Sequence, residues 1–165
     1  MCKIWKKVLV WVAISPLGIS DPFIVPSGFC INQKVYLNQC IKKRLEPFIK
    51  KYHRRGQYLF WPDLASSHYA ATVTNHLTKQ KIPFMPKLLN PANLPEVRPV
   101  EDFWAILKRE VYKGGWSTNS IPNLISRIKY SLKNIDQSLV QKLMLGVTRR
   151  LDKIRREGVP WIFFI

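Results

Sequence analysis

Asp63 follows the short apolar run Tyr58 to Trp61 and Pro62. A carboxylate just past an apolar strand stands where parallel sheets commonly present ligand-binding groups. Glu101 lies two residues after Pro99, in what reads as the first turn of a helix, and Asp102 comes next. His68, five residues after Asp63, could orient a carboxylate or touch a phosphate. Paired hard oxygen ligands hold magnesium or manganese. Two such ions activate a nucleophile and stabilise a leaving oxygen in phosphodiester transfer. Each residue also has a plain role. A carboxylate in a first turn answers the helix dipole, with Asp102 as rival to Glu101. A histidine at a helix start serves as a cap or as a buried hydrogen-bond partner. No Ser-His-Asp order, Walker loop or GxGxxG run is present, and glycine is scarce at 7 residues.

The charge balance gives these carboxylates their setting. The 165 residues carry 27 Lys and Arg against 10 Asp and Glu, a formal net charge of +17. Such a surface attracts phosphate polymers or anionic membranes. Arg149, Arg150, Lys153, Arg155 and Arg156 form a basic ridge near the C-terminus that can meet a DNA backbone. No apolar run reaches the ~18 residues of a membrane span, so none is expected. The cysteines at 2, 30 and 40 match no zinc spacing and are too few for a disulfide scaffold, which suits a reducing compartment. The length suits one domain.

The elements that must position Asp63 and Glu101 follow from periodicity. Met1 to Ile14 sets lysines before an apolar run, as a signal peptide does, but no small-residue cleavage site stands out. The better reading is a strand, Lys7 to Ser15, central and covered on both faces. Pro16-Leu17-Gly18 turns the chain into an antiparallel strand, Ile19 to Val25, where Pro22 restricts the site to an edge or a bulge. Asn32 caps a helix whose apolar stripe is Val35, Leu37, Ile41, Leu45, Phe48, Ile49 and Tyr52. Lys42, Lys43, Lys50 and Lys51 lie opposite. Gln57 to Trp61 and Ile82 to Met85 read as parallel strands, joined through a helix from about His68 to Gln80 that Ser66 or Ser67 caps. Residues 86 to 99 form a proline-rich ordered loop. Pro99 then opens a helix with Val100, Phe103, Trp104, Leu107 and Val111 on one face, closed by Gly114-Gly115. Ser120 or Asn119 starts the next, with Ile121, Leu124, Ile125, Ile128 and Leu132 inward. Asp136 caps the last, with Leu139, Leu143, Val147, Leu151 and Ile154 inward and Gly158 as its stop.

At Asp63 and Glu101 the chain resembles the catalytic domain of mariner-superfamily transposases, the DDE class. Their second carboxylate lies in D-N-A-P-x-H, and the matching stretch is Asp63-Leu64-Ala65-Ser66-Ser67-His68. Their third lies in P-[IV]-E-x-[LF]-W, matched by Pro99-Val100-Glu101-Asp102-Phe103-Trp104. The opening VLVWVAIS-LGIS resembles the family's strand pair with its V-W-G-x-I-x-x-x-G pattern, and GVTRRLDKIRREG its closing helix. The 37 residues between Asp63 and Glu101 resemble a mariner-related group with glutamate as third member, and Asn90 to Arg98 its version of the S-P-D-L-N segment.

The resemblance implies an α/β, ribonuclease H-like fold: a mixed sheet flanked by helices, with residues 1–158 a partial catalytic domain and 159–165 a hydrophobic tail. It implies Asp63 and Glu101 as ligands of Mg2+ or Mn2+, and as catalytic residues together with His68. It also implies double-stranded DNA as partner, a homodimer, and work in the nucleus. Leu64 replaces an asparagine and cannot make the amide's hydrogen bonds. The family's first catalytic aspartate sits upstream of VLVWVAIS, where the six residues before Lys7 hold no acid. The family's helix-turn-helix reader is absent too. The expectation is therefore an N-terminally truncated domain, inactive alone, with Asp21, Glu96 and Asp102 as candidates for any substitute ligand. The alternative is a basic nucleic-acid-binding protein without chemistry.

Overall fold

The computed structural model describes residues 7–26, 28–54, 58–90 and 98–157. The signal-like first residues, Gln57, Glu96, Gly158 and the tail lie outside them, as does most of the Asn90 to Arg98 segment. Strand β1 (Val8–Trp11) pairs antiparallel with β4 (Phe23–Pro26), and β2 (Ile14–Ser15) with β3 (Gly18–Ile19). The expected continuous strand from Lys7 to Ser15 is thus broken. Between the two ladders Val12 and Ala13 face three residues, Ser20, Asp21 and Pro22, so the second strand carries one extra residue. Pro22 has no N–H to give a ladder, and the bulge absorbs it. Ser20 bridges the break: its N–H donates to the Ala13 carbonyl at 2.8 Å, and its Oγ accepts from the Ala13 N–H at 2.8 Å.

The strand pair separates two cores. Val8, Val10, Val12 and Ile14 pack toward one cluster, Trp11 and Ala13 toward the other, as the two-residue period of a strand requires. Coverage is incomplete, since Leu9 remains 43% exposed. The first core is built by α4 (Pro99–Val111), α5 (Ile121–Lys133) and α6 (Gln137–Glu157). Phe103, Leu107 and Val111 meet Leu124, Ile128 and Leu132 at helical spacing, with Val140 from α6. Ser120 caps α5 through the Asn123 N–H, and Asp136 receives the Ser138 N–H at 2.8 Å at the start of α6. The inward stripe of α6 is shorter than its sequence period suggests. Val140 is fully buried, whereas Leu151 is 45% exposed, because the helix runs past the end of the core. Among the described residues no helix is long and apolar enough to cross a membrane.

The second core rests on one continuous helix: α1 (Gln33–Val35), a π-helical stretch (Tyr36–Leu45) and α2 (Glu46–Tyr52). Asn32 caps it, its Oδ1 accepting from the Val35 N–H at 3.0 Å. Pro47, at the end of the π stretch, removes a donor and crowds the carbonyl of Lys43. The wider winding rotates the buried face to Tyr36, Cys40, Ile41 and Leu45. Tyr36 and Cys40 therefore replace Val35 and Leu37, which stay half-buried, in the predicted stripe. Helix α3 (Ala71–Lys79) brings Val73 and Leu77 to this core. Either side of α3, Phe60 and Phe84 form a parallel bridge, with the Phe60 N–H donating to the Pro83 carbonyl at 2.9 Å and the Met85 N–H to the Phe60 carbonyl at 2.9 Å. The expected parallel pairing is present, contracted to one bridge.

Candidate active site

The Phe60 bridge delivers Trp61, Pro62 and Asp63 to the edge of the second core. Asp63 then folds the next residues around itself. Its Oδ1 accepts from the Ala65 N–H at 2.9 Å and lies 2.6 Å from His68 Nδ1. Residues 66–69 are consequently a turn, and α3 starts at Ala71 without a side-chain cap rather than at His68 under Ser66 or Ser67. The His68 ring stacks on Tyr36 with centroids 3.9 Å apart, so the imidazole is clamped between a buried aromatic ring and the carboxylate. The His68 imidazole beside it, foremost, holds the Asp63 carboxyl below the usual aspartate range. Burial opposes this, while the Ala65 amide and the charges of His68 and Arg98 add to it. Asp63 keeps 59% of its side chain exposed and can still meet a ligand. Of the two groups behind it, burial pushes the Tyr36 hydroxyl far above its ordinary value and the Cys40 thiol up to about 12, so both stay neutral.

Glu101 stands exposed in the first turn of α4, where its N–H donates to the Arg98 carbonyl at 3.2 Å. Asp102, its rival, is engaged elsewhere: Arg150 Nη2 donates to its Oδ2 at 2.8 Å. That bond draws one member of the basic ridge into the α4–α6 contact. Arg155 pairs with Asp152 at 3.8 Å, while Arg149 and Arg156 are exposed. Asp21 sits in the bulge region, two residues before β4.

What the sequence did not reveal is the link between Asp63 and the helix of Glu101. Asn90 is 5% exposed and lies just beyond a 3-10 turn, Lys87–Leu89. Its Oδ1 accepts from Trp61 Nε1 and from Arg98 Nη2, each at 2.8 Å. Its Nδ2 donates to the Pro62 carbonyl at 2.8 Å and to the Tyr69 hydroxyl at 2.7 Å. Asn90-Pro91 and Arg98-Pro99, each a polar residue held extended by a following proline, were the available signal.

Asp63 and Glu101 supply exposed carboxylate oxygens, the donor type that Mg2+ and Mn2+ take. Magnesium commonly uses one or two carboxylates with substrate phosphates and water, so each of the two is of the donor type such an ion takes. Among the described residues no group of three His, Cys, Asp or Glu side chains could hold a metal.

This is a ribonuclease H-like mixed α/β fold, a small sheet flanked by helices, and it is matched to mariner/Tc1-like DDE transposase catalytic domains in structure and in sequence. The chain is 27% identical over 155 residues to the Transposable element Tc3 transposase of Caenorhabditis elegans, across 93% of this chain and 45% of that protein. It thus spans a little under half the length of the curated relative it matches. It superposes on the Mos1 transposase catalytic domain with raltegravir and Mg at a TM-score of 0.78 and 18% identity, covering 95% of this chain and 78% of that one. The corresponding Mn structure gives 0.76 and 17%, over 95% and 78% of the two chains. The Mos1 paired-end complex with left transposon end gives 0.75 and 18%, over 96% and 45%. No family model matches the chain.

Proposed function

We propose that this chain is a transposase-type catalytic-domain fragment that binds duplex DNA in the nucleus and retains two metal-ligating carboxylates. The reading rests on one juxtaposition. Asp63, fixed by His68, stands at a strand end that Asn90 joins to Arg98, the residue from which the helix of Glu101 starts. That arrangement sits on a fold shared with domains solved with Mg and with Mn. A divalent ion, when bound, would stabilise charge on the oxygens of a phosphodiester. Asp63 and Glu101 would hold it. His68 orients Asp63 and keeps it ionised, and Arg98 adds positive charge beside it. The basic surface holds the backbone of the nucleic acid. Residues 1–158 act as the catalytic-domain portion, and a second copy of the chain is its partner in assembly.

We further propose that the 165-residue chain by itself cuts no DNA, because among the described residues no group of three His, Cys, Asp or Glu side chains could hold a metal. The purified chain, given duplex DNA with Mg2+ or Mn2+, is expected to yield no strand cleavage. Mn2+ should nonetheless broaden the NMR signals of Asp63 and Glu101 selectively, and Asp63→Ala or Glu101→Ala should abolish the effect. Metal-dependent cleavage lost on Asp63→Ala would overturn the inactivity. Absence of broadening at both carboxylates would overturn the metal site. The second reading, a basic nucleic-acid binder without chemistry, draws on the lack of a three-ligand group among the described residues. It requires DNA binding that is indifferent to Mn2+.

A further inference from the structure

Asn90 is a buried polar side chain engaged through both its oxygen and its nitrogen. Its carbonyl oxygen accepts two hydrogen bonds and its amide nitrogen donates two, which is the whole capacity of an asparagine side chain. The four partners come from three separate places. Trp61 and Pro62 immediately precede Asp63. Tyr69 immediately follows His68, and its hydroxyl also donates to the Met85 carbonyl at 3.0 Å, beside the parallel bridge. Arg98 immediately precedes α4 and lies three residues before Glu101. A solvated loop residue would need none of these bonds. A saturated, buried network of this kind fixes geometry, because no partner can leave without stranding a polar group.

We infer that Asn90 is a positioning residue that sets the strand end of Asp63 against the helix start of Glu101. This deepens the metal-site reading given above and rests on it for its purpose, though not for its geometry. The amide is required rather than merely a polar group. In Asn90→Asp an oxygen would face the Pro62 carbonyl oxygen, while the bonds from Trp61 and Arg98 could persist. In Asn90→Ala all four bonds are lost. Arg98 is the positioning partner on the helix side, and Arg98→Gln removes the bond from its guanidinium to Asn90 while leaving the other three in place.

The test is a distance measurement with spin labels at Ala65 and Ala105, both exposed and outside the network. Cys2 and Cys30 are first replaced by Ser, and the buried Cys40 is left in place. The parent chain should give one narrow distance distribution. Asn90→Ala and Asn90→Asp should broaden or displace it, and Arg98→Gln should do so partly. A control pair at Ala105 and Lys129, on α4 and α5, should not change. The same folded variants should bind Mn2+ at least ~10-fold more weakly, the usual scale for residues that orient metal ligands. If Asn90→Ala does not fold, Asn90→Asp carries the test. An unchanged 65–105 distribution in a folded Asn90 variant overturns the proposal, as does Mn2+ affinity equal to that of the parent. If the parent itself shows no Mn2+ effect at Asp63 and Glu101, the metal reading falls. The distance result then still decides whether Asn90 sets the geometry.

Discussion

His68 shows how much one side chain does at this site. It touches a fully buried tyrosine on one face and an exposed carboxylate at its edge. His68→Ala removes both contacts, and the loss of packing against Tyr36 should cost on the order of 2–3 kcal/mol in chemical denaturation. Asp63 carries the pH dependence. Its carboxyl is held below the ordinary value of 3.8 in the folded chain, chiefly by His68. The stability it contributes is complete above that value and is lost as pH falls through the folded value. In metal-free buffer Asp63→Asn should therefore melt below the parent at neutral pH, with the difference closing under strongly acid conditions. A gap that stays constant across the acid range would contradict this account. The spacing of Asp63, His68 and Glu101 was legible because each motif is local. Asn90 was not, since its partners at 61, 62, 69 and 98 converge only in three dimensions.

Among the elements, α4 and α5 were readable because their apolar residues repeat at ordinary helical spacing and each has a clear stop or cap. The long helix was harder. A stripe counted with the α period selects Val35 and Leu37, whereas the π winding buries Tyr36 and Cys40. The broken strand failed to show for a related reason. Pro22 announces that a ladder is interrupted, but only the register reveals an extra residue across from Val12 and Ala13. The Gly114-Gly115 stop was legible and has a measurable consequence. Both residues have positive φ, +69° and +73°, and a Cβ at either would meet no atom within 4 Å. The conformation alone should make Gly114→Ala and Gly115→Ala each cost ~1 kcal/mol. Gly146 lies inside α6, where an added Cβ would meet only Arg150 Nε, at 3.8 Å. The same substitution there should stabilise by roughly 0.5–1 kcal/mol. Thermal unfolding of the three variants compares them directly, and a shared sign would refute the backbone argument.

For the whole molecule the governing quantity is the net charge of +17, and two basic stretches of the described residues compete to meet a phosphate backbone. One is the α6 ridge. The other is the face of Lys42, Lys43, Lys50 and Lys51, all exposed on the π–α2 helix. Charge alone cannot say which face meets DNA, but the ion pairs make the ridge unequal within itself. Arg150 reaches Asp102 and thereby ties α6 to α4, and Arg155 has Asp152 one turn away. Arg149 and Arg156 are exposed, and they are the members we expect to contact phosphate. Duplex binding should weaken linearly with the logarithm of salt concentration and show little preference for sequence. Arg149→Gln and Arg156→Gln should each reduce the salt slope by about 0.9 without changing the melting temperature. Arg150→Gln should behave differently, lowering the melting temperature because it frees Asp102 and loosens the α4–α6 contact. Glutamines at Lys42, Lys43, Lys50 and Lys51 provide the comparison. If they flatten the salt slope while the Arg149 and Arg156 variants leave it intact, the DNA lies along the π–α2 helix and the ridge is only a solvated face.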